Sequence, residues 1–313
     1  MELETFETQD KLIEIIHHLD RRVGNTPLLR LLKSPNLYAK IEYTQFTHSI
    51  KIRPAMYIMR EAILSGVVNT DTTIIESTSG NFGIALAHIC FALNLKFIAV
   101  IDSNTPQEKQ KMLKLLAYKV VTIDKEDNQG GYLINRIKFV NDYMDDHTNC
   151  FNPNQYSNVG NPDSYYYGLS EEIIRSFAHL DVVFLSVSSG GTITGLSRRL
   201  KEAYPNIKIV GIDVEGSQIF SSEPKKRRLS GIGSSIRSEV IEMAHIDEFV
   251  ILSDQAVVDG CKLLYRNELI FAGISSGAAY AVAYRHHEMF PEQTGLFICA
   301  DDARSYLDFF EEN

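Results

Sequence analysis

Short β-branched runs alternate with longer amphipathic ones along the chain, a rhythm that restricts it to an α/β fold built on parallel sheet. One set of expected strands covers residues 37–42, 73–76, 96–101 and 119–123, and a second covers 182–187, 207–214, 248–252 and 296–300. Helical periodicity fills the intervals, over 54–65, 82–93, 107–116, 131–145 and 164–178, then 195–204, 254–267 and 278–289. Asp102, Ser103 and Asp254 fall where strand ends or helix caps are expected. The loop-rich stretch 150–163 separates the two sets and is the expected hinge. A smaller domain of residues 52–153 and a larger one of residues 1–51 and 154–313 follow from it.

Charge and cysteine usage remove several function classes. Lys and Arg number 31 against 40 Asp and Glu, a net charge of −9, and the one basic run, Lys225-Lys226-Arg227-Arg228, reads as a solvated loop. No nucleic-acid partner is expected. Cys90, Cys150, Cys261 and Cys299 lie far apart without metal-ligand spacing, which implies free thiols, no metal and a reduced, cytoplasmic setting. The acidic amino terminus does not read as a leader, and the longest apolar stretch, 84–95, is interrupted by His88 and Asn94 and too short for a bilayer. Small-molecule partners remain, with no membrane role.

The chemistry gathers at four junctions. Ser188-Ser189-Gly190-Gly191-Thr192-Ile193-Thr194-Gly195 follows a buried strand and opens a helix, the arrangement that lets backbone N–H groups cradle a phosphate. Ser77-Thr78-Ser79-Gly80-Asn81 repeats the design for a carboxylate or a phosphate, although the same residues also serve as plain helix caps. Gly273-Ile274-Ser275-Ser276-Gly277 reads either as tight helix packing or, at Ser275, as a hydroxyl for a heterocyclic nitrogen. Lys51, in Ser49-Ile50-Lys51 ahead of Pro54, is a surface lysine or a desolvated nucleophile for an aldehyde. One phosphate cradle plus a Schiff-base lysine points to pyridoxal phosphate. A long irregular stretch, 216–235, is a further functional loop by its length.

Six motifs occur in order: Val23-Gly24-Asn25-Thr26-Pro27-Leu28-Leu29, Ser49-Ile50-Lys51, Thr78-Ser79-Gly80-Asn81, Gly190-Gly191-Thr192 with Gly195, Gly231-Ile232-Gly233, and Gly273-Ile274-Ser275-Ser276-Gly277. The sequence thereby resembles the pyridoxal-phosphate-dependent cysteine synthase and cystathionine β-synthase family, of the tryptophan synthase β type (fold type II). That resemblance implies two three-layer α/β/α domains with the cofactor in the interdomain cleft, the smaller closing over substrate, and a homodimer. It implies that Lys51 carries the cofactor and moves protons at the substrate Cα, and that Asn81 meets the 3′-oxygen. Ser188, Ser189, Gly190, Gly191 and Thr192 would hold the 5′-phosphate, and Ser275 would face the pyridine nitrogen. Thr78, Ser79, Gly80 and Gln155 would receive the substrate α-carboxylate. The implied reaction is β-replacement on a serine-type amino acid through an aminoacrylate.

Departures from the family pattern narrow the branch. Around the lysine the usual Asn-Pro-x-Gly-Ser-Val-Lys-Asp-Arg becomes Gln45-Phe46-Thr47-His48-Ser49-Ile50-Lys51-Ile52-Arg53, and Phe82 replaces a usual Thr. Tyr156 stands where cysteine synthases usually have Phe, and Ser188 where they have Gly. With the segments 76–81, 128–137 and 270–273, these residues are similar to the siderophore-precursor branch, which joins O-phospho-L-serine to L-glutamate and releases phosphate. Arg136 is then either the cation for the leaving phosphate or a helix-surface ion pair. Tyr156 is a substrate contact or plain packing, and His48 a replacement for lost backbone contacts or an exposed turn residue. A cysteine synthase, a cysteine β-lyase and a non-catalytic regulatory binding protein are the alternatives.

Overall fold

A computed structural model describes residues 2–78, 80–127, 131–221, 225 and 227–311. Two compact units emerge: Met1–Gly24 with Lys51–Gly160, and Asn25–Ile50 with Asn161–Asn313.

In the first unit, helix α1 (Glu2–Asp20) precedes α2 (Ile52–Leu64), β3 (Thr73–Ser77), α3 (Asn81–Ala92), β4 (Phe97–Asp102), α4 (Gln107–Leu116), β5 (Lys119–Ile123), α5 (Leu133–Asp146) and β6 (Cys150–Phe151). Its parallel sheet runs β5-β4-β3-β6, with Ser77 opposite Val100 and Asp102 opposite Ile123. This register sends the segments after Ser77, Asp102 and Phe151 to one carboxyl edge, where open α/β sheets bind ligands. Alternation along the strands puts Ile75, Ile98 and Val100 against Val140 of α5. Helix α3 packs on the same sheet and also against α1, α2 and α4. Phe82 to Ala87, Ile89 and Cys90 are therefore buried, which accounts for most of the longest apolar stretch without a membrane, while Phe91 stays exposed. No helix among the described residues is long and apolar enough to cross one.

Residues 1–24 group with this unit rather than with the larger one expected from the hinge, because α1 docks on α2. Gln9 Nε2 donates to the carbonyls of Ile63 and Val68, each at 3.2 Å, and Arg60 pairs with Asp20 at 2.8 Å. The boundary on the far side falls after Gly160.

In the second unit, β1 (Leu28–Arg30), β2 (Leu37–Ile41), β7 (Val182–Ser186), β8 (Lys208–Val214), β9 (Glu248–Leu252) and β10 (Gly295–Cys299) form a sheet ordered β1-β2-β10-β7-β8-β9. Only the β1–β2 pair is antiparallel. Val182 and Phe184 of β7 face a core shared with α9 (Asp254–Glu268) and α10 (Ile274–Met289). Val183 and Leu185 face the opposite core, with α7 (Ser170–Ser176) and α8 (Gly191–Ala203). Three layers result, the arrangement the alternating pattern predicts. A short helix α11 (Leu307–Glu311) follows β10.

Three local expectations change. The single helix over 164–178 is instead α6 (Gly160–Ser164), a π-helical turn (Tyr165–Leu169) and α7. Ser170 N donates to the Tyr165 carbonyl five residues back, and its hydroxyl bonds the same oxygen at 2.5 Å. Helix α10 starts at Ile274, four residues early, so Gly273–Gly277 is its first turn. The cap of α9 is Ser253, whose hydroxyl accepts from Ala256 N at 3.3 Å, and Asp254 is the first helical residue.

Candidate active site

The loop after β7 is shaped by what lies behind it. Gly190 adopts φ +89°, and a Cβ there would lie 3.0 Å from the Ser238 hydroxyl and 3.1 Å from Ile241. A Cβ on Gly191 would fall 2.0 Å from Asn161 Oδ1. Asn161 also donates to the Ser189 hydroxyl at 3.4 Å, and Ser238 donates to the Ser189 carbonyl at 2.7 Å. Both glycines thus let the buried Asn161 and Ser238 press against the back of the loop. Helix α8 begins at Gly191 with no side-chain cap, so its first-turn N–H groups, Thr192's included, point to an external acceptor. These features fit a phosphate ester. Ser188 contributes differently: its hydroxyl donates to the Gly233 carbonyl at 3.1 Å, and Gly233 N donates to the Val187 carbonyl at 2.8 Å. The irregular stretch 216–235 is thereby tied to the cradle, although residues 222–224 and 226 lie outside the described residues.

Ser275 sits beside this loop by direct connection. Ser186, at the end of β7, donates from its hydroxyl to the Ser275 carbonyl at 2.6 Å. The same helix start is tied to the end of β10: Ala300 N donates to the Ser276 hydroxyl at 3.2 Å, and Gly273 N to the Asp301 carbonyl at 2.9 Å. The Ala300 carbonyl then accepts from Ile50 N at 2.8 Å, and Ser49 bridges to Asp301. The turn that delivers Lys51 is therefore stitched to the segment that positions Ser275. Lys51 itself is half-buried and directly precedes α2. Gly277 has the bland role of packing, since a Cβ there would meet Cys261 Sγ at 2.1 Å. His48, at φ +57° and exposed, is a turn residue, and Ile52 is fully buried in the core.

In the first unit the loop after β3 presents donors. Thr78, 1% exposed, accepts at its hydroxyl from Gly80 N at 3.2 Å and Gly83 N at 2.9 Å. A hydroxyl has two lone pairs and one proton, so its O–H remains available to a further acceptor. Gly83 is obligatory for this cap, because a Cβ there would lie 2.3 Å from Thr78 Cγ2. Asn81, half-buried, opens α3. Ser79 lies outside the described residues.

Glu76 organises the opposite side of that edge. Its carboxylate accepts from Asn154 N at 2.7 Å, from Asn152 Nδ2 at 3.0 Å and from Gln155 N. Burial pushes its pKa up to about 8, against the pull of those N–H donors and of Arg136. Glu76 thus fixes the turn that carries Gln155, buried, and Tyr156, half-buried. Arg136 is no surface residue: it is 4% exposed, with Nε 3.2 Å from Asp102 Oδ2, and its Nη1 has no hydrogen-bond partner among the described residues.

Sequence reasoning missed Asn161, Ser238, Gly83 and the positioning role of Glu76. Asn161 and Ser238 lie 28 and 49 residues from Ser189, and nothing local announces a partner at that distance.

Residues 19–301 match the family model described as pyridoxal-phosphate dependent enzyme. The N-(2-amino-2-carboxyethyl)-L-glutamate synthase of Cupriavidus metallidurans is 37% identical over 265 residues, 83% of this chain and 78% of that protein. Among solved structures, an O-acetylserine dependent cystathionine beta-synthase from Helicobacter pylori superposes with a TM-score of 0.84 at 31% identity, covering 93% of this chain and 96% of that one. An O-ureido-L-serine synthase superposes with a TM-score of 0.83 at 29% identity, covering 92% of each chain.

Proposed function

The chain belongs to the pyridoxal-phosphate dependent enzymes, and on that premise we propose that it makes N-(2-amino-2-carboxyethyl)-L-glutamate and phosphate from O-phospho-L-serine and L-glutamate. The observation that carries this reading is the 37% identity to a synthase of that name across 83% of the chain. Ser188 and Tyr156, which depart from the cysteine synthase pattern, agree with it.

Pyridoxal phosphate, when bound, supplies the electron sink that acidifies the substrate Cα and allows a β-substituent to leave. Lys51 would carry the cofactor and hold the proton taken from Cα. The first turn of α8, with the backbone of Ser188 and with Ser189, Gly190, Gly191 and Thr192, would hold the phosphate ester, and Asn81 would meet the ring oxygen. Ser275 would offer the ring nitrogen a neutral hydroxyl, which does not enforce a protonated ring and so would suit loss of the β-substituent. Thr78 donates its remaining O–H to the substrate carboxylate, with Gly80, Gln155 and Ser79 completing that site. A departing phosphate needs a cation, and Arg136 with its unfilled Nη1 is assigned to it, Tyr156 adding packing and a hydroxyl.

A half-reaction screen tests this. The cofactor-loaded protein is mixed with O-phosphoserine, O-acetylserine, serine or cysteine while its visible spectrum is followed. O-Phosphoserine should change the spectrum with release of phosphate, and L-glutamate should then restore it. A response to O-acetylserine alone would move the assignment to cysteine synthase chemistry. Failure of glutamate to restore the spectrum would remove the siderophore-precursor reading.

A further inference from the structure

Arg136 is buried with donors to spare. It lies in the first turn of α5, and neither its Nε nor its Nη1 makes a hydrogen bond among the described residues. Buried donors left unmade are costly, so a site that keeps two of them is set for an acceptor that arrives from outside.

Asp102, also buried, is what keeps the cation there. Its Oδ2 lies 3.2 Å from Arg136 Nε, an ion pair held by charge without hydrogen-bond alignment. Its other oxygen is engaged: Oδ1 accepts from Asn104 N at 2.9 Å, and Thr105 N donates to the Asp102 carbonyl at 3.1 Å. The carboxylate is thus fixed in a turn at the end of β4. Glu76 is no substitute, because its carboxylate is taken by Asn154 N and Asn152 Nδ2 and burial favours its neutral form. A fixed counter-charge offsets the cost of burying a guanidinium, and the misalignment leaves the guanidinium donors open. The place also fits. Thr78 N donates to the carbonyl of Val100 at 2.9 Å, and Val100 and Asp102 both belong to the end of β4, so the pair stands at the same sheet edge as Thr78.

We propose that Asp102 is a positioning residue, holding Arg136 at this edge with its donors open to a substrate oxyanion. That oxyanion is the phosphoryl group of O-phospho-L-serine or a carboxylate of L-glutamate. The proposal rests on the reading that Arg136 meets an anionic substrate.

The test compares the cofactor-loaded protein with Asp102→Asn, Arg136→Met and the double variant. Asp102→Asn keeps the acceptor for Asn104 N but turns an NH2 group toward the guanidinium. Half-saturating concentrations of O-phosphoserine and O-acetylserine are read from the visible spectrum, and those of L-glutamate and L-alanine from its restoration. Asp102→Asn should weaken O-phosphoserine or L-glutamate about 10- to 100-fold, the range of a charged hydrogen bond, with a much smaller effect on the uncharged member of that pair. In the Arg136→Met background the same change should leave the ratio within each pair where it was, because Asp102 acts through Arg136. A loss confined to O-phosphoserine puts the oxyanion on the first substrate, and one confined to L-glutamate puts it on the second. Equal weakening within both pairs, or ratios that do not move, would make Asp102 scaffold and overturn the proposal. So would a ratio that still falls in the Arg136→Met background. Should Asp102→Asn fail to fold, Asp102→Glu, which displaces the carboxylate, carries the same comparison with the same sign. If the wild type ignores O-phosphoserine, that substrate reading falls while the L-glutamate pair still judges Asp102. If it answers neither anion, both fall.

Discussion

Replacing Gly191 by Ala is the sharpest probe of the phosphate cradle. The added Cβ would sit 2.0 Å from Asn161 Oδ1, 2.3 Å from Cγ and 2.6 Å from Nδ2, so the whole amide group must leave. Overpacking of a tight site costs about 1–3 kcal/mol. Expelling the amide also breaks its bond to the Ser189 hydroxyl, worth about 1 kcal/mol. If about 2–3 kcal/mol of this falls on the loop, cofactor affinity drops roughly 30- to 150-fold. The assay is titration of the cofactor-free apoprotein with pyridoxal phosphate, followed by absorbance and by the unfolding midpoint in urea. Asn161→Ala removes the obstacle, so in that background Gly191→Ala should cost much less, giving a coupling energy of about 1 kcal/mol or more in a double-mutant cycle. Strict additivity would refute the reasoning, because it would mean that Asn161 does not set the need for glycine.

Three further outcomes follow from the same geometry. Lys51→Ala should abolish the visible cofactor band and the reaction together while leaving the far-ultraviolet circular dichroism unchanged. Thr78→Val, which strips the acceptor for Gly80 N and Gly83 N as well as the remaining donor, should destabilise the first unit by about 1–3 kcal/mol and raise KM, with Thr78→Ser restoring most of both. Glu76 holds its proton up to about pH 8 in the folded chain, whereas the unfolded carboxyl loses it near 4.5. It therefore contributes no penalty below the lower value, and stability falls by about 1 kcal/mol per unit as pH rises between the two. Denaturant midpoints across that window should decline more gently in Glu76→Gln than in the wild type, and equal slopes would count against a raised Glu76.

Much of the fold is legible because buried parallel strands are written as continuous apolar runs, as in β4 and β7, which need no knowledge of their neighbours. The strands at 119–123 and 248–252 match residue for residue. The two-residue β6 is missed because it carries too little pattern, and α1 because its pattern is broken by charge. At the site, glycines and hydroxyls mark the loops, but their partners come from far along the chain. Gly191 declares a close approach without naming Asn161. Arg136 shows the reverse problem: helical spacing locates it without revealing that it is buried beside Asp102.

The apolar helix α3 has a consequence for the time axis. From Phe82 to Cys90 only His88 is not buried, so the amides of that stretch should exchange with deuterium only when the whole unit opens, while the exposed end at Phe91 and Ala92 frays. The anion loop at its start is moored to the slowest-exchanging segment of that unit, so the loop's donors keep their places between turnovers instead of being reassembled for each substrate.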